Sequence, residues 1–463
     1  MSQEQSGVRP AAPSGGYRHW ALVILVVVYT SNFIDRTILN ILGPSIQKDL
    51  HLDNLQLGLL TGTAFAAFYT VLGLGFGWLA DRAKRSTVIV ASLAIWSAFT
   101  AACGYAQNFN QLFLLRMGVG FGEAGCSPAA QSMISDYYSP KSRSTALAIY
   151  STGIPLGVLF GAVVAGWIAQ TFGWRQAFMV VGLPGILIAL VCRFALKEPP
   201  RGRFDAPGAA GERPSPFKTA GRLLRAPSFW HLAFGASLSS MAGYGIAAFA
   251  VKFLLAGGFG LDLKTAAFDY GVAGGLAAAL GIVLGGVVTD VAGRASVRAY
   301  ALIPGIGFLI AAPLYVWAFQ QTDLIKLATL VIAPLILQYL YLGPTFAVTH
   351  NLVEPRMRGM ATAILFLPIN LIGLGIGPAL VGYLADRQSQ AHFAGLHAGL
   401  FKTLCDPKAL AASADTALKG ACHVSNFDGV KWAIMVVAGV VYAWAGLHYL
   451  LAARSVKRDL ERA

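Results

Sequence analysis

The sequence has little charge. Only 12% of its 463 residues are Asp, Glu, Lys or Arg, whereas soluble proteins carry about 25%. Hydrophobic residues make up 56% of the chain, and several apolar runs exceed the roughly 20 residues that a helix needs to cross a bilayer. The shortage of charge therefore argues against a soluble globular protein and predicts a membrane protein built from helices.

The chain also lacks motifs that would assign an enzymatic chemistry. No phosphate-binding loop ending in Gly-Lys-Ser or Gly-Lys-Thr is present, which argues against direct nucleotide hydrolysis. Residues 120–125 fit the spacing of a dinucleotide-binding loop, but they lie inside an apolar helix instead of following a strand. We therefore expect no enzyme activity, no metal site and no cofactor other than a coupling proton.

Apolar runs predict twelve spanning helices. The first run is too long for a secretory signal peptide, so we expect it to be the first spanning helix. Residues 1–16 are polar and contain Pro and Gly, and we expect them to be disordered. The predicted spans lie near residues 20–43, 54–80, 86–106, 110–137, 144–169, 174–196, 228–256, 265–291, 297–318, 325–352, 359–386 and 430–453.

Basic residues are distributed unevenly between the two ends of these spans. Of the 35 Lys and Arg residues, 23 fall on the side of the termini and ten on the other side, while Arg36 and Arg116 lie within spans. The positive-inside rule then predicts that both termini are cytoplasmic. The net charge of +14 therefore requires no nucleic-acid partner.

Four charged residues lie inside the spans of the first half. Arg116 and Glu123 are seven residues apart and share one helix face, with three glycines between them that permit close helix packing. Asp35 and Arg36 follow one another in the first span and point about 100° apart. Charged groups in a bilayer mark a substrate or proton path by default. A structural ion pair that merely locks two helices is the alternative.

The chemistry of these side chains predicts two roles. Burial raises a carboxylate pKa and a neighbouring Arg lowers it, so Asp35 and Glu123 are candidates for proton exchange. Arg116 is predicted to be their shared counter-ion, or to bind a phosphate through its planar guanidinium.

An internal repeat divides the chain. Asp81 follows the second span and Asp290 follows the eighth, 209 residues later in a similar motif. Arg143 and Arg358 form a second pair, 215 residues apart, each within a Pro-x-x-Arg-x-x-Ala pattern. Two echoes at nearly one offset predict two homologous halves of six helices each.

The loop after the second span resembles the signature Gly-x-Leu-x-Asp-Arg-x-Gly-Arg of the major facilitator superfamily. Gly77, Asp81, Arg82 and Arg85 match it, while Lys84 replaces the second Gly. The resemblance implies an all-α membrane protein with twelve transmembrane helices in two pseudo-symmetric six-helix bundles. The first half resembles the Spinster branch of lipid transporters, through residues 32–36, 116–124 and 139–146.

The Spinster resemblance implies a proton-coupled secondary transporter that moves a lysophospholipid or a sphingoid-phosphate-like lipid by alternating access. The residues expected to carry the proton are Asp35, Glu123 and Arg116. The residues expected to contact substrate are Arg36, Arg116, Asn32, Asn370, Tyr341 and Thr345.

The superfamily resemblance also implies a gate. Asp81 would cap the N-terminus of span eleven, where the helix dipole favours an anion, and Arg85 would pair with Asp136. The predicted gating motif contains Gly77, Asp81, Arg82, Arg85, Asp136, Arg143, Asp290 and Arg294. Spans two, five, eight and eleven should line the contact between the halves through glycines. The glycines singled out in spans five and eleven are Gly153, Gly157, Gly161, Gly373 and Gly377.

The predicted domains follow from the spans. They are a bundle at 17–196, a basic cytoplasmic linker at 197–226, a bundle at 227–454 with an outer loop at 388–428, and a tail at 455–463. The linker either lies on anionic headgroups or is a solvated tether. Cys405 and Cys422 fall in the outer loop on the oxidising side, so we expect a disulfide between them.

Three other functions remain open from the sequence. The protein could transport small organic anions or drugs with the same machinery, act on lipids as a membrane-embedded enzyme, or bind a ligand as a sensor. The missing catalytic constellation argues against the enzyme. We expect a monomer in a bacterial inner membrane.

Overall fold

A computed structural model describes residues 15–201, 216–354, 357–397, 400–406, 409–410 and 413–462. The structure is 87% helical, and no strand occurs in the described residues. The predicted all-α membrane fold is confirmed. Each predicted span falls within one continuous or briefly interrupted helical run, and we number these runs α1 to α12.

The first half contains α1 to α6. Their bounds are Gly15–Leu50 for α1; Asn54–Gly58, the π-helical turn Leu59–Thr63 and Ala64–Arg82 for α2; Arg85–Cys103 for α3; Phe109–Glu123 and Cys126–Tyr137 for α4; Pro140–Ser151 and Gly153–Phe172 for α5; and Trp174–Ala195 for α6.

The second half contains α7 to α12. Their bounds are Pro227–Ala256 for α7; Leu263–Gly293 for α8; Ala299–Phe319 for α9; Leu324–Leu337 and Leu342–Asn351 for α10; Arg358–Pro368, the π-helical turn Ile369–Leu374 and Gly375–Leu396 for α11; and Thr416–Val436, the π-helical turn Val437–Val441 and Tyr442–Glu461 for α12.

Eleven helices of the described residues are long and apolar enough to cross a membrane. The exception among the twelve runs is α4, because a break at Ala124 and Gly125 divides it into helices of 15 and 12 residues. The break directly follows Glu123, so it lies at the level of the charged residues in the core of the first half.

The two ends of the bundle differ in their helix caps. We call the end with both termini the termini face and the other end the opposite face. Five helices that begin on the opposite face have an Asp or Asn N-cap, whose side chain accepts a hydrogen bond from the backbone N–H three residues on. These caps are Asp53, Asn108, Asp262, Asp323 and Asp415. Acidic caps on this face complement the excess of basic residues on the termini face.

The two halves touch along α2 and α11 on the opposite face. A Cβ added to Gly62 would lie 2.3 Å from the carbonyl oxygen of Leu374, and one added to Gly382 would lie 2.2 Å from that of Asn54. Further along the same stripe of α2, toward the termini face, a Cβ on Gly73 would have no described neighbour within 4 Å. The close contact between α2 and α11 therefore ends before the termini face.

The contact between α5 and α8 has the same gradient. A Cβ on Gly271 would lie 2.6 Å from that of Ala162, and one on Gly166 would lie 2.5 Å from that of Ala267. Nearer the termini face, Gly286 of α8 meets none of the described atoms within 4 Å. The halves are therefore packed together at the opposite face and separated at the termini face.

The prediction for the glycines of spans five and eleven was wrong in its partner. Gly153, Gly157 and Gly161 of α5 face α1, and Gly373 and Gly377 of α11 face Ser240 and Met241 of α7. These contacts lie within each half, where small residues bring the backbones together. Residues on the other faces of the same helices supply the contact between the halves.

The predicted domain boundaries need correction at the opposite face. The segment 388–428 is mostly helical, because α11 continues to Leu396 and α12 begins at Thr416. Helix α12 also extends through the predicted tail to Glu461. The structure joins Cys405 to Cys422 by a disulfide, with a Cα–Cα distance of 5.4 Å. Phe393, Phe401 and Cys422 form a small apolar cluster there.

The remaining boundaries lie partly outside the described residues. The predicted disordered tail 1–16 is described only from Gly15, where α1 begins. Of the predicted linker 197–226, residues 202–215 are not described, and Pro216–Leu224 forms a short helix. Arg222 of this helix pairs with Glu354 at 3.0 Å, so the end of the linker is attached to the segment between α10 and α11.

Candidate functional site

The charged residues of the first half meet between α1 and α4. Arg36 Nε donates a hydrogen bond to Glu123 Oε2 at 2.9 Å. The Arg36 side chain is 13% exposed, whereas that of Glu123 is fully buried. The guanidinium lies 4.6 to 5.1 Å from the ring centroids of Phe33, Phe65 and Tyr69, which stabilises it through cation–π attraction. Arg36 is therefore the partly accessible cation of a buried ion pair.

Arg116 takes a position that differs from the prediction. It is 1% exposed, and its Nη1 donates to the backbone carbonyl oxygen of Asp35 at 3.4 Å. The Asp35 carboxylate lies beside Thr100 and Trp96 of α3 as well as Arg116. Arg116 as the shared counter-ion of both acids is thus wrong for Glu123, because the hydrogen-bonded partner of Glu123 is Arg36.

Several buried polar atoms at this site have no hydrogen-bond partner among the described residues. They are Asp35 Oδ1, Glu123 Oε1, Arg116 Nε, and both amide atoms of Asn32. Each such atom loses its hydration on burial without full compensation. The site is therefore polar, buried and incompletely paired, which suits groups that exchange a proton or a ligand.

Glycines of α4 position the charged residues. A Cβ on Gly120 would lie 2.4 Å from the carbonyl oxygen of Phe65, and one on Gly122 would lie 2.6 Å from the backbone nitrogen of Trp96. Helix α4 can therefore approach α2 and α3 closely. The approach brings Glu123 toward Arg36 and places Arg116 over the Phe65 ring at 5.7 Å.

Tyrosines of the second half face this charged site. Tyr244 of α7 is half-buried and packs against the core of the first half, as does Tyr270 of α8. The Tyr244 hydroxyl lies beside the Arg36 guanidinium, and the Tyr270 hydroxyl lies beside Asn40. Tyr339 of α10 completes the group near Tyr244 and Tyr270. These tyrosines were not among the predicted site residues.

Two predicted substrate contacts lie elsewhere. Tyr341 is 7% exposed and packs in the core of the second half. Thr345 is buried, donates to the carbonyl oxygen of Tyr341 at 2.6 Å and bonds the Tyr449 hydroxyl. Tyr339 and Tyr341 flank the break in α10 and point in different directions, so the cavity-facing residue is Tyr339. Asn370 is half-buried in the π-helical turn of α11.

Arg85 organises the termini face of the first half. It bonds Asp136, donates from Nε to Glu198 at 2.7 Å and donates to the carbonyl oxygen of Pro199 at 3.0 Å. Glu198 also accepts from the Ser86 backbone N–H at 2.9 Å. All of these groups belong to the first half, so the network ties α3 and α4 to the segment after α6. It does not cross to the second half, and the predicted role of Arg85 as a latch between halves needs correction.

The other members of the predicted gating motif are dispersed. Arg143 donates to the carbonyl oxygen of Ser135 at 2.8 Å, and Asp290 accepts from the Tyr300 hydroxyl at 2.8 Å. Arg82 and Arg294 are exposed. The backbone at Gly77 and Asp81 is helical, but the predicted contact of Asp81 with α11 lies outside the described side chains.

Glu198 yields a prediction about stability. Burial alone would raise its pKa, but hydrogen bonds from the Ser86 N–H and Arg85 hold the pKa below its ordinary value of 4.5. This stabilisation is present above pH 4.5 and is lost as the pH falls through the folded-state value. We expect Glu198→Gln to lower the melting temperature at pH 7 by about 2–4 °C, with a smaller difference from the wild type in acid.

Scanning fluorimetry of the purified protein across pH would measure this difference. Glu354→Gln is the matched control, since Glu354 is half exposed and pairs only with Arg222 of the linker helix among the described residues. A loss that is the same at pH 4 and pH 7 would show that the Glu198 charge is not its source.

A polar cluster closes the opposite face between the halves. Asp386 of α11 accepts hydrogen bonds from the backbone N–H of Asn54 at 3.2 Å and of Leu55 at 2.9 Å, and from Asn54 Nδ2 at 2.8 Å. Lys252 of α7 donates to Gln47 at 2.7 Å and also to Asn54. The Asp386 carboxylate thus caps the first turn of α2, where the helix dipole favours an anion.

A sequence signal for this cluster was missed. Residues 382–387 read Gly-Tyr-Leu-Ala-Asp-Arg, and residues 77–82 read Gly-Trp-Leu-Ala-Asp-Arg. The copy in α11 shows what the pattern does: Gly382 permits contact with the α2 backbone, and Asp386, four residues later, caps that helix. The repeat could have placed Asp386 at the contact between the halves.

We expect Asp386→Asn to open the opposite face. Three hydrogen bonds between the halves would lose their charged acceptor, and such bonds contribute roughly 1.5–3 kcal/mol. The ratio of open to closed molecules should rise about tenfold. Distances between spin labels on the opposite-face ends of α1 and α7 would report the change.

Asp49→Asn is the control for this variant. Asp49 lies on the same face and accepts from Trp174 Nε1 at 3.2 Å and from Arg175 at 2.5 Å, both within the first half. It should leave the distances unchanged. If Asp386→Asn also leaves them unchanged, the cluster does not hold the halves together.

No group of three His, Cys, Asp or Glu residues that could hold a metal ion occurs in the part of the chain that the structure describes. The free cysteines Cys103, Cys126 and Cys192 are buried.

Comparisons with known proteins give one consistent family. Residues 25–378 match the Major Facilitator Superfamily. A transporter described as an MFS-type efflux pump from Mycolicibacterium smegmatis is 32% identical over 376 residues, covering 80% of this chain and 86% of that protein. The Spinster protein of Drosophila melanogaster is 26% identical, covering 98% of this chain and 80% of its own length.

Solved structures agree with this assignment. A bacterial homologue of the human lysosomal transporter Spinster, crystallised in an inward-facing and unoccupied conformation, matches with a TM-score of 0.87 and 32% identity. The match covers 96% of this chain and 99% of that one. The predicted resemblance to the Spinster branch is confirmed. A probable galactarate/D-glucarate transporter from Bacillus subtilis is also 32% identical, but over only 43% of this chain and 45% of that protein.

Proposed function

Because the chain belongs to the Major Facilitator Superfamily, we propose that it is a proton-coupled secondary transporter for an amphiphilic anionic lipid. The substrate would be a lysophospholipid or a similar single-chain lipid phosphate, moved by alternating access. The observation that carries the proposal is the asymmetry of the site. A partly exposed Arg36, paired with Glu123, faces tyrosines of a second half whose core is apolar and aromatic.

The asymmetry matches the two ends of an amphiphile. The anionic head would bind Arg36, whose planar guanidinium suits phosphate and carboxylate oxygens. The acyl chain would lie against the aromatic and aliphatic wall of the second half. The similarity to Spinster proteins supports this class of substrate.

Transport of a small organic anion is the second candidate. The partial match to a probable galactarate/D-glucarate transporter supports it. The same Arg36 would bind a carboxylate, and the apolar wall would then have no acyl chain to contact.

The distribution of basic residues supports an orientation with both termini in the cytoplasm of a bacterial inner membrane. In that orientation the separation of the halves at the termini face corresponds to an inward-facing state. Cysteine labelling at residue 400 from the outside, with no labelling at residue 210, is the expected result. The reverse pattern would overturn the orientation.

Flux into proteoliposomes tests the function. The experiment compares a labelled 16-carbon lysophosphatidylglycerol with labelled D-glucarate, each with and without an imposed pH gradient. We expect gradient-dependent flux of the lysolipid and none of the glucarate. Glucarate flux alone would favour the second candidate, and flux of neither would remove both.

A further inference from the structure

Arg36 has donor groups without described acceptors. The hydrogen bond that Arg36 makes to the described residues comes from Nε and reaches Glu123. Beside its guanidinium lie the hydroxyls of Tyr69, in the first half, and Tyr244, in the second half. Neither hydroxyl makes a hydrogen bond within the described part of the chain. The guanidinium Nη groups and two hydroxyls thus converge on one place.

Converging donors favour an anion. Each of these groups has a proton to donate, and an oxygen of a phosphate or carboxylate can accept from several donors at once. The rings of Phe33, Phe65 and Tyr69 hold the guanidinium in place, so the geometry is set before a ligand arrives. The arrangement fits an anionic oxygen placed between Arg36 and Tyr244.

We propose that Tyr244 is the contact through which the second half binds the anionic group held by Arg36. The proposal rests on the proposed function and deepens it, because it assigns the ligand's charged oxygen to residues of both halves. Tyr244 lies on α7 but packs against the core of the first half. A ligand oxygen bonded to both residues therefore joins the halves at the level of the ion pair.

Such a contact has a consequence for transport. The halves are separated at the termini face, so a ligand there can reach Arg36 before the halves close around it. A hydrogen bond from Tyr244 then favours the closed arrangement only when an anion is present. Tyr244 would thereby link occupancy of the site to closure.

The test is Tyr244→Phe, which removes the hydroxyl and keeps the ring. The probes are a 16-carbon lysophosphatidylglycerol, the uncharged monoacylglycerol with the same chain, and D-glucarate. We expect the affinity for the lysolipid to fall about tenfold, the scale of one hydrogen bond to a charged group. The affinity for the monoacylglycerol should change less than twofold.

Tyr339→Phe is the matched control. Tyr339 is a half-buried tyrosine of the same group, and its neighbours in that group are Tyr244 and Tyr270, not a cation. It should bind every probe as the wild type does. Unchanged lysolipid affinity in Tyr244→Phe, or an equal loss for the uncharged lipid, would overturn the inference.

The glucarate arm separates this inference from the choice of substrate. If wild-type protein binds glucarate and not the lysolipid, the lipid proposal fails. A tenfold loss of glucarate affinity in Tyr244→Phe would then still support the contact, and an unchanged affinity would remove it. Wild-type protein that binds neither probe refutes the proposed function and the inference together.

Discussion

Arg36→Gln is expected to abolish transport and to reduce binding of an anionic substrate by at least a hundredfold. Arg36 is the partly exposed member of its ion pair with Glu123, and it carries the donors that face the tyrosines of the second half. Removing it leaves the fully buried Glu123 carboxylate without its cation. Breaking a buried pair in this way costs about 3–5 kcal/mol, so the variant should also be less stable.

The double variant Arg36→Gln with Glu123→Gln separates the two effects. With both charges absent, no uncompensated ion remains buried, and stability should return toward that of the wild type. Substrate binding and transport should not return, because the headgroup partner is still missing. Melting temperature and lysolipid flux, measured on the same preparations, would show the difference. Recovery of flux in the double variant would mean that Arg36 acts only as a structural counter-ion.

Arg116 provides a comparison within the same site. Its side chain is buried and bonds the backbone of Asp35, so it is not placed to contact a ligand in this conformation. Arg116→Gln is expected to impair transport through the position of α1, with a smaller direct effect on headgroup affinity. Binding measured with both arginine variants would rank the two cations.

The residue types at the site could be predicted from the sequence, but their pairing could not. Charged residues in apolar spans identify Asp35, Arg36, Arg116 and Glu123, because each is costly in a bilayer. The choice of counter-ion depends on the approach of α1 to α4, which is fixed by contacts such as Gly122 against α3. Spacing along one helix contains no information about that approach.

The twelve spans were predicted correctly because each requires a long apolar run. The ends of the helices were less certain: the segment between α11 and α12 is polar, yet both helices extend into it. Local hydrogen bonds continue a helix beyond the hydrocarbon, and hydropathy reports only the buried part. The cavity-facing choice between Tyr339 and Tyr341 likewise depends on the break in α10.

Proton coupling depends on the acids behind Arg36. Glu123 faces Arg36, Arg116 and Asn32, while Asp35 faces Glu123, Arg116, Thr100 and Trp96. We propose that the two acids are alternately protonated during transport. A proton on Glu123 weakens its attraction for Arg36, so the guanidinium can bind an anionic head more strongly. Loss of the proton on the other side of the membrane restores the ion pair and favours release.

Glu123→Gln and Asp35→Asn imitate the protonated acids. Both should retain lysolipid binding, and Glu123→Gln should bind about as tightly at pH 8 as the wild type does in acid. Neither should accumulate substrate in response to a pH gradient, because a neutral amide cannot release a proton. Equilibrium exchange of labelled lysolipid without a gradient should continue, which separates lost coupling from lost transport.

The comparison has a clear opposite outcome. If both variants keep full gradient dependence in proteoliposomes, the protons travel through other groups, and the pair of Arg36 and Glu123 is a structural bridge between α1 and α4. If only Asp35→Asn loses the gradient response, Asp35 carries the proton and Glu123 serves to hold Arg36. The position of Glu123 directly before the break in α4 favours the first acid to move being Glu123, because the broken helix can shift its carboxylate when Arg36 turns to a ligand.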